Sequence, residues 1–349
     1  MLKKNFLVAA AVLATACAEN PEKDLLKFPV KEVADIPQAV ALSPEKAPVE
    51  LMTPFVFSIN VFDGKLLTNA DIRADHCVDV YDLDSGEELP GLCRKGRGPG
   101  EFVDALPYSS SGTLIVAGVG TVSEVSLAED SYGSILHHVK LQEPKAGFYP
   151  IIASAYKVAG GDVLIYNSIQ STPDFVATEN PYYATYDWED GAEKKAFRLF
   201  DTAPLANAPE TERMFAFDLR DCMDDAGETL CFVMGKMPVF AFLDIASGQT
   251  RGFRLKGEPA FSADSQRQFF AAACAQGRFI YALYYGMSYD ELDRNGKTTL
   301  YKLDWEGNLL NKYELDGIYL NCCAGPDKLY LIGVEDDVNV ICQLDMENL

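Results

Sequence analysis

The sequence predicts an all-β fold, a six-bladed β-propeller of four-stranded antiparallel blades closed by an N-terminal strand, and three observations lead there. The 349 residues are 48% hydrophobic and 23% charged, enough apolar material for a large core. Seventeen Tyr and 20 Phe stand among many Val, Ile and Thr, with 26 Gly and 18 Pro as punctuation, which favours strands and turns. A hairpin pattern recurs along the chain at a period that suits propeller blades.

The repeat is a run of alternating apolar residues, an Asp, a turn with Gly, and a second alternating run. Its copies are residues 80–86, 186–191, 243–248 and 303–307, with a degenerate copy at 126–130 and a truncated one at 343–347. Alternation turns one side of each strand inward, and Asp and Gly accept turn geometry that branched residues resist. Aligning position 82 with 128, 187, 244, 304 and 345 gives steps of 46, 59, 57, 60 and 41 residues. Two more strand candidates precede most hairpins, as in 102–108 with 113–118, 149–157 with 162–169 and 269–274 with 278–285. The last unit offers only 318–323, 328–333 and 339–344 before the chain stops, so the unassigned apolar stretch 28–42 is expected to supply its missing strand and close the ring.

The N-terminus has the form of an address. Lys3 and Lys4 precede an uncharged run at 6–16 that is too short to span a bilayer. Small residues then lead into Cys17, the pattern of a bacterial lipobox in which the cysteine is acylated and becomes the first residue; an ordinary secretory signal cleaved near Ala16 is the alternative. The expected organisation is a signal peptide over 1–16, a tether and ring-closing segment over 17–50, and the propeller over 51–349. The membrane is then reached through the N-terminal lipid, on the periplasmic or the surface-exposed side of an outer membrane.

Charge limits the partners. Fifty-two acidic residues against 30 basic give −22, which argues against nucleic acid. Loss of residues 1–16 would remove Lys3 and Lys4 and no acid, leaving −24. The exception is Arg94, Lys95, Gly96, Arg97, Gly98, Pro99, Gly100, Glu101 and Phe102. This is no dinucleotide fingerprint, because the third glycine falls one place early, and no P-loop, because no Gly-Lys-Ser/Thr ends it. Its basic residues and glycine amides could hold an anionic group, or Arg97 and Glu101 could pin an interblade turn.

The lipid cysteine, the Tyr81-Asp82 hairpin with Gly86 and the run Gly96 to Phe102 together resemble the TolB-like six-bladed β-propeller lipoproteins of Bacteroidetes. The resemblance implies the fold and an envelope location, and it implies no defined ligand or enzymatic activity.

Other chemistry is sparse. Eight cysteines follow Cys17, and Cys222 and Cys231 flank a hairpin-like tip, the likeliest local disulfide. Cys322 and Cys323 should point to opposite sheet faces, and so should His137 and His138. His76, Cys77 and Asp79 have metal-capable atoms without a second cluster at a diagnostic spacing, so no metal ligand is assigned. Asp221, Asp224 and Asp225 read as a solvated acidic tip, with a calcium site as the alternative. Residues 290–296 lack the Glu of a calcium loop, since Lys302 holds the twelfth place counted from Glu291, and Asn295-Gly296 reads as a hairpin turn. No Gly-x-Ser-x-Gly elbow occurs. The expected function is therefore noncatalytic binding or scaffolding of a protein, peptide or glycan partner, with a metal-dependent hydrolase or lyase at the channel mouth as the alternative.

Overall fold

The computed structural model describes residues 22–110, 112–142, 151–168, 182–209, 215–262 and 265–349. Six sheets, each of four consecutive antiparallel strands or three plus a returning one, are arranged as the blades of a propeller. The innermost strands are Ile59–Phe62, Ala105–Ser110, Ile151–Lys157, Leu219–Met223, Arg267–Gln276 and Tyr319–Ala324. Because every blade is an up-and-down meander, the connections sort onto two faces. Links between blades and second-to-third connections share a linker face, while first-to-second and third-to-fourth connections share the opposite turn face.

The recurring Asp-Gly hairpin is the third-to-fourth connection. Asp82 Oδ1 accepts from the Ser85 amide at 2.9 Å, Asp187 Oδ1 from Glu189 at 2.8 Å, Asp244 Oδ1 from Ser247 at 2.7 Å and Asp304 Oδ1 from Asn308 at 2.8 Å. The glycine that follows takes the left-handed region, with φ of 75° at Gly86 and 77° at Gly248, which explains the pairing of residue types. In the second blade the degenerate copy is anchored two residues earlier than the alignment placed it: the Ser126 hydroxyl accepts from Ala128 N and bonds Ser131 Oγ, taking the place of the carboxylate.

Packing lies between blades. Six hydrophobic clusters each fill one junction, the largest between the third and fourth blades around Tyr183, Phe200, Phe217 and Phe232. Cys322 lies in the cluster of the fifth and sixth blades and Cys323 in that of the sixth and first, so the adjacent thiols do face opposite ways.

Closure differs from the expectation. The strand that completes the sixth blade is Glu45–Lys46, antiparallel to Val338–Asp345, and not the stretch 28–42. That stretch instead adds a fifth, parallel strand to two other blades: Val30–Val33 beside Thr250–Leu255, and Val40–Leu42 beside Leu309–Asp316. The segment read as a loose tether is thus a strap over three outer edges from Glu22 onward. Its first fixed point is a buried ion pair, Arg254 Nε to Glu22 Oε2 at 2.9 Å, with neither side chain more than 4% exposed. Glu22 Oε1 also accepts from Phe261 N at 3.1 Å, and the Arg254 guanidinium donates to the carbonyls of Leu255, Glu258 and Pro259.

A second correction concerns Asn295-Gly296. The segment Tyr289–Asn295 is an α-helix, started by a capping box between Ser288 and Glu291 and ended by Gly296 at φ 61°. The dipeptide is a left-handed helix terminus, which needs the same backbone freedom as a hairpin turn.

Candidate binding channel

The innermost strands meet around the axis, and hydrogen bonds from them or their immediate neighbours tie adjacent blades together. Asn60 Nδ2 donates to Pro107 O at 2.8 Å, Tyr108 OH to Ala153 O at 3.0 Å, Phe269 N to Gly235 O at 2.8 Å, Tyr285 OH to Tyr319 O at 2.7 Å and Asn321 Nδ2 to Phe57 O at 2.9 Å. The remaining junction, third to fourth blade, is made by Asp221. Inside this ring is a cavity of about 590 Å³ lined by residues from all six blades. Small side chains such as Ala273, Ala275 and Ala324 keep the bore open on the side of the fifth and sixth blades.

Asp221 lies in the wall of the fourth blade. Its carboxylate accepts from Ser154 Oγ at 2.7 Å, Tyr156 OH at 2.8 Å and Tyr183 OH at 2.7 Å. Burial pushes its carboxyl above the usual range, and the three hydroxyl donors oppose that by stabilising the charged form. Burial and the neighbouring Asp221 charge push the Tyr156 and Tyr183 phenols far up, so both stay protonated as donors. Arg220, one residue earlier in the same strand, lines the cavity toward the linker face and pairs with Asp218 at 2.5 Å, with 46% of its side chain exposed. The channel therefore offers a buried carboxylate, hydroxyls and a guanidinium half open to solvent, and no histidine among the described residues lines it. This set can hydrogen-bond and charge-match a polar ligand, and the Ser154 hydroxyl is held on the Asp221 carboxylate.

Asp221 corrects the sequence reading, which grouped it with Asp224 and Asp225. Asp224 does sit at the tip, where its Oδ1 accepts from Glu228 N at 2.7 Å, but Asp221 belongs to a strand and faces the axis. Among the described residues no group of three or more His, Cys, Asp or Glu side chains is placed to hold a metal ion.

The segment Arg94 to Phe102 is a tight link between the first two blades, and its parts serve one another. Gly98 N donates to Glu101 Oε2 at 2.8 Å, Gly96 N to Phe102 O at 3.0 Å, and Lys95 Nζ to the carbonyl of Asp71 at 2.7 Å. A Cβ on Gly96 would stand 1.9 Å from Glu101 Oε2, so any larger residue there must push the Glu101 carboxylate off the Gly98 amide. Phe102 is buried between the blades; Arg94, Arg97 and Pro99 remain exposed, and Arg94 Nε is 3.8 Å from Glu101 Oε1. None of the residues Arg94 to Phe102 lines the channel, whose wall takes up the chain at Asp104.

His76 bridges two carboxylates, Nδ1 to Asp75 at 2.9 Å and Nε2 to Asp79 at 2.7 Å, while Cys77 packs in the core of the first two blades. His137 stacks on Trp188 and His138 bonds Ser123, on opposite faces as expected. Cys222 and Cys231 are directly opposite in register and are free thiols in this structure. Cys17 lies outside the described residues.

Architecture and channel together define a six-bladed β-propeller with a ligand-sized axial cavity. Among solved structures the chain is similar to a member of the DUF4221 family from Bacteroides vulgatus, at TM-score 0.60 and 13% identity over 88% of this chain and 97% of that one. It is also similar to a protein from Bacteroides fragilis described as exported, at TM-score 0.50, 11% identity and coverage of 90% and 98%. A calcium-binding regucalcin from Agrobacterium tumefaciens matches at TM-score 0.51, 14% identity and coverage of 88% and 95%. At such identities these likenesses establish the fold alone. No family model matches the sequence, and no curated protein does.

Proposed function

We propose that this chain is a lipid-anchored, noncatalytic propeller of the bacterial cell envelope that binds a peptide, protein or glycan partner at the linker-face mouth of its channel. The observation that carries the reading is the open axial cavity with Arg220 at its rim and Asp221 within it, a polar recognition set. The lipobox-like residues before Cys17 support the anchor, and the two Bacteroides propellers are in keeping with an envelope location. A hydrolase or lyase built on a divalent cation is not favoured by any cluster of ligating side chains among the described residues.

The test is binding of the purified protein to peptide and glycan arrays and to solubilised outer-membrane proteins, beside Arg220→Ala. Hits that weaken tenfold or more in the variant are expected, in line with about 1.5–3 kcal/mol for a hydrogen bond to a charged group. Silence on all three, or hits indifferent to Arg220, would sink the channel reading. Cys17→Ala should move the protein from the membrane to the soluble fraction.

A further inference from the structure

Apolar exposure is divided unequally between the two faces. Of the fourteen large hydrophobic side chains that stand exposed among the described residues, all but Val40, Leu136 and Leu310, which lie on the outer rim, belong to the linker face. Ile72 is 89% exposed and Phe55 71%; Phe57, Val103, Phe215 and Tyr289 are all more than half exposed and come from five different connections with these two. A soluble protein rarely collects so many apolar side chains on one surface without something to cover them.

Charge does not divide the same way. The turn face carries the repeated carboxylates Asp82, Asp187, Asp244 and Asp304 with their acidic neighbours Asp84 and Glu189. The linker face mixes signs: the Arg73 and Arg94 side chains are 88% and 80% exposed, beside acids that include Asp75, Asp290, Glu291, Asp293, Asp336 and Asp337. What sets the linker face apart is its exposed apolar side chains.

The start of the described chain says what covers the apolar face. Glu22 is clasped by Arg254 and the Phe261 amide, at the end of the fourth blade where the chain enters the link to the fifth. That point is on the linker face. Cys17 precedes it by five residues, a reach of at most about 18 Å. An acylated Cys17 would therefore hold this face, and not the turn face, close to the membrane.

We propose that the linker face rests on the lipid bilayer into which the acylated Cys17 inserts, with its apolar side chains at the headgroup and acyl boundary. The inference rests on the lipid anchor of the proposed function. It adds that the propeller is oriented, linker face toward the membrane and Asp-Gly turns away from it, so that a partner at the linker-face mouth is one held at the same membrane.

The chain has two tryptophans, Trp188 and Trp305, and both follow a third strand on the turn face, so they serve as internal controls. The lipidated full-length protein is reconstituted into vesicles of phosphatidylethanolamine and phosphatidylglycerol with brominated acyl chains, and its emission is compared with that in unbrominated vesicles. Wild-type emission should be unchanged. The Ile72→Trp variant should lose on the order of a third of its emission, the share of one tryptophan in three at the acyl boundary. The Leu136→Trp variant, on the rim, should lose none. Vesicle-bound Ile72→Trp protein without quenching, or equal quenching at the rim, overturns the orientation. Wild-type protein that fails to float with the vesicles overturns the anchor itself and this proposal with it. An Ile72→Trp emission that shifts only when a co-purified envelope protein is present assigns the face to that protein and overturns the bilayer as occupant.

Discussion

Replacing Glu22 by alanine should release the strap while leaving the ring standing. The Glu22 carboxylate is fully buried and Arg254 is 3% exposed, so the variant strands a guanidinium away from water. The carbonyls of Leu255, Glu258 and Pro259 still accept from it, but none carries charge. Removing one partner of a buried pair costs about 3–5 kcal/mol. If that cost falls on docking of the strap alone, its opening equilibrium rises by roughly a hundredfold to a few thousandfold. The reporters are the amides that join strap and fourth blade, Gly252 N to Pro29 O and Lys256 N to Val33 O, both at 2.8 Å. Hydrogen exchange at those amides should accelerate by at least about a hundredfold, while the second blade, far from the strap, changes little. Glu22→Gln keeps the acceptor and should fall between. Unchanged exchange at Gly252 and Lys256 in Glu22→Ala would refute the reasoning, because it would mean that the apolar contacts of Leu25, Leu26 and Phe28 alone hold the strap down.

Two further outcomes follow from the turns and the basic link. Gly96→Ala forces a methyl group into the Glu101 carboxylate and should destabilise the fold by about 1–3 kcal/mol, seen as a lower midpoint in urea. Pairing it with Glu101→Ala should recover most of the loss; no recovery would show that something other than this contact fixes the glycine. For Asp187, bonds from Lys194 and from the Glu189 and Asp190 amides lower the carboxyl to about 2. A folded-state value below the unfolded one stabilises the protein above the unfolded value, and that contribution is lost as pH falls through about 2. Trp188 fluorescence should report acid unfolding, and Asp187→Asn should flatten the dependence between pH 4 and 2; because the site is exposed, added salt should weaken the effect.

How far the sequence alone could be read depended on the range of the interactions. The hairpins were legible because an Asp that caps its own turn and a glycine at positive φ are local requirements, satisfied within a few residues. The strap was not legible in its route. Its strands are two to four residues long, too short for alternation to show, and they pair with residues more than 200 positions away. Residues 289–295 carried a usable signal, Ser288 three places before Glu291, but the Asn295-Gly296 dipeptide suits a helix end and a hairpin equally. Asp221 was hidden by its neighbours: Asp224 caps a turn, whereas three residues earlier the chain is strand and packing of the third blade against the fourth brings Tyr156 and Tyr183 to it. In the basic link the composition was visible, yet nothing in it reveals that the Glu101 carboxylate folds back onto the Gly98 amide.

The strap also sets an order of assembly during synthesis. Glu45 and Lys46 are made early, but the strand they pair with, Val338–Asp345, is nearly the last to be made. Val30–Val33 and Val40–Leu42 likewise wait for strands two hundred and more residues downstream. The chain end is then fixed by Lys302 Nζ and Tyr313 OH, which donate to the Leu349 carbonyl. The earliest described residues are therefore among the last to find their partners, and loss of the strand Val338–Asp345 should leave Glu45–Lys46 unpaired while Val30–Val33 and Val40–Leu42 keep their places on the fourth and fifth blades.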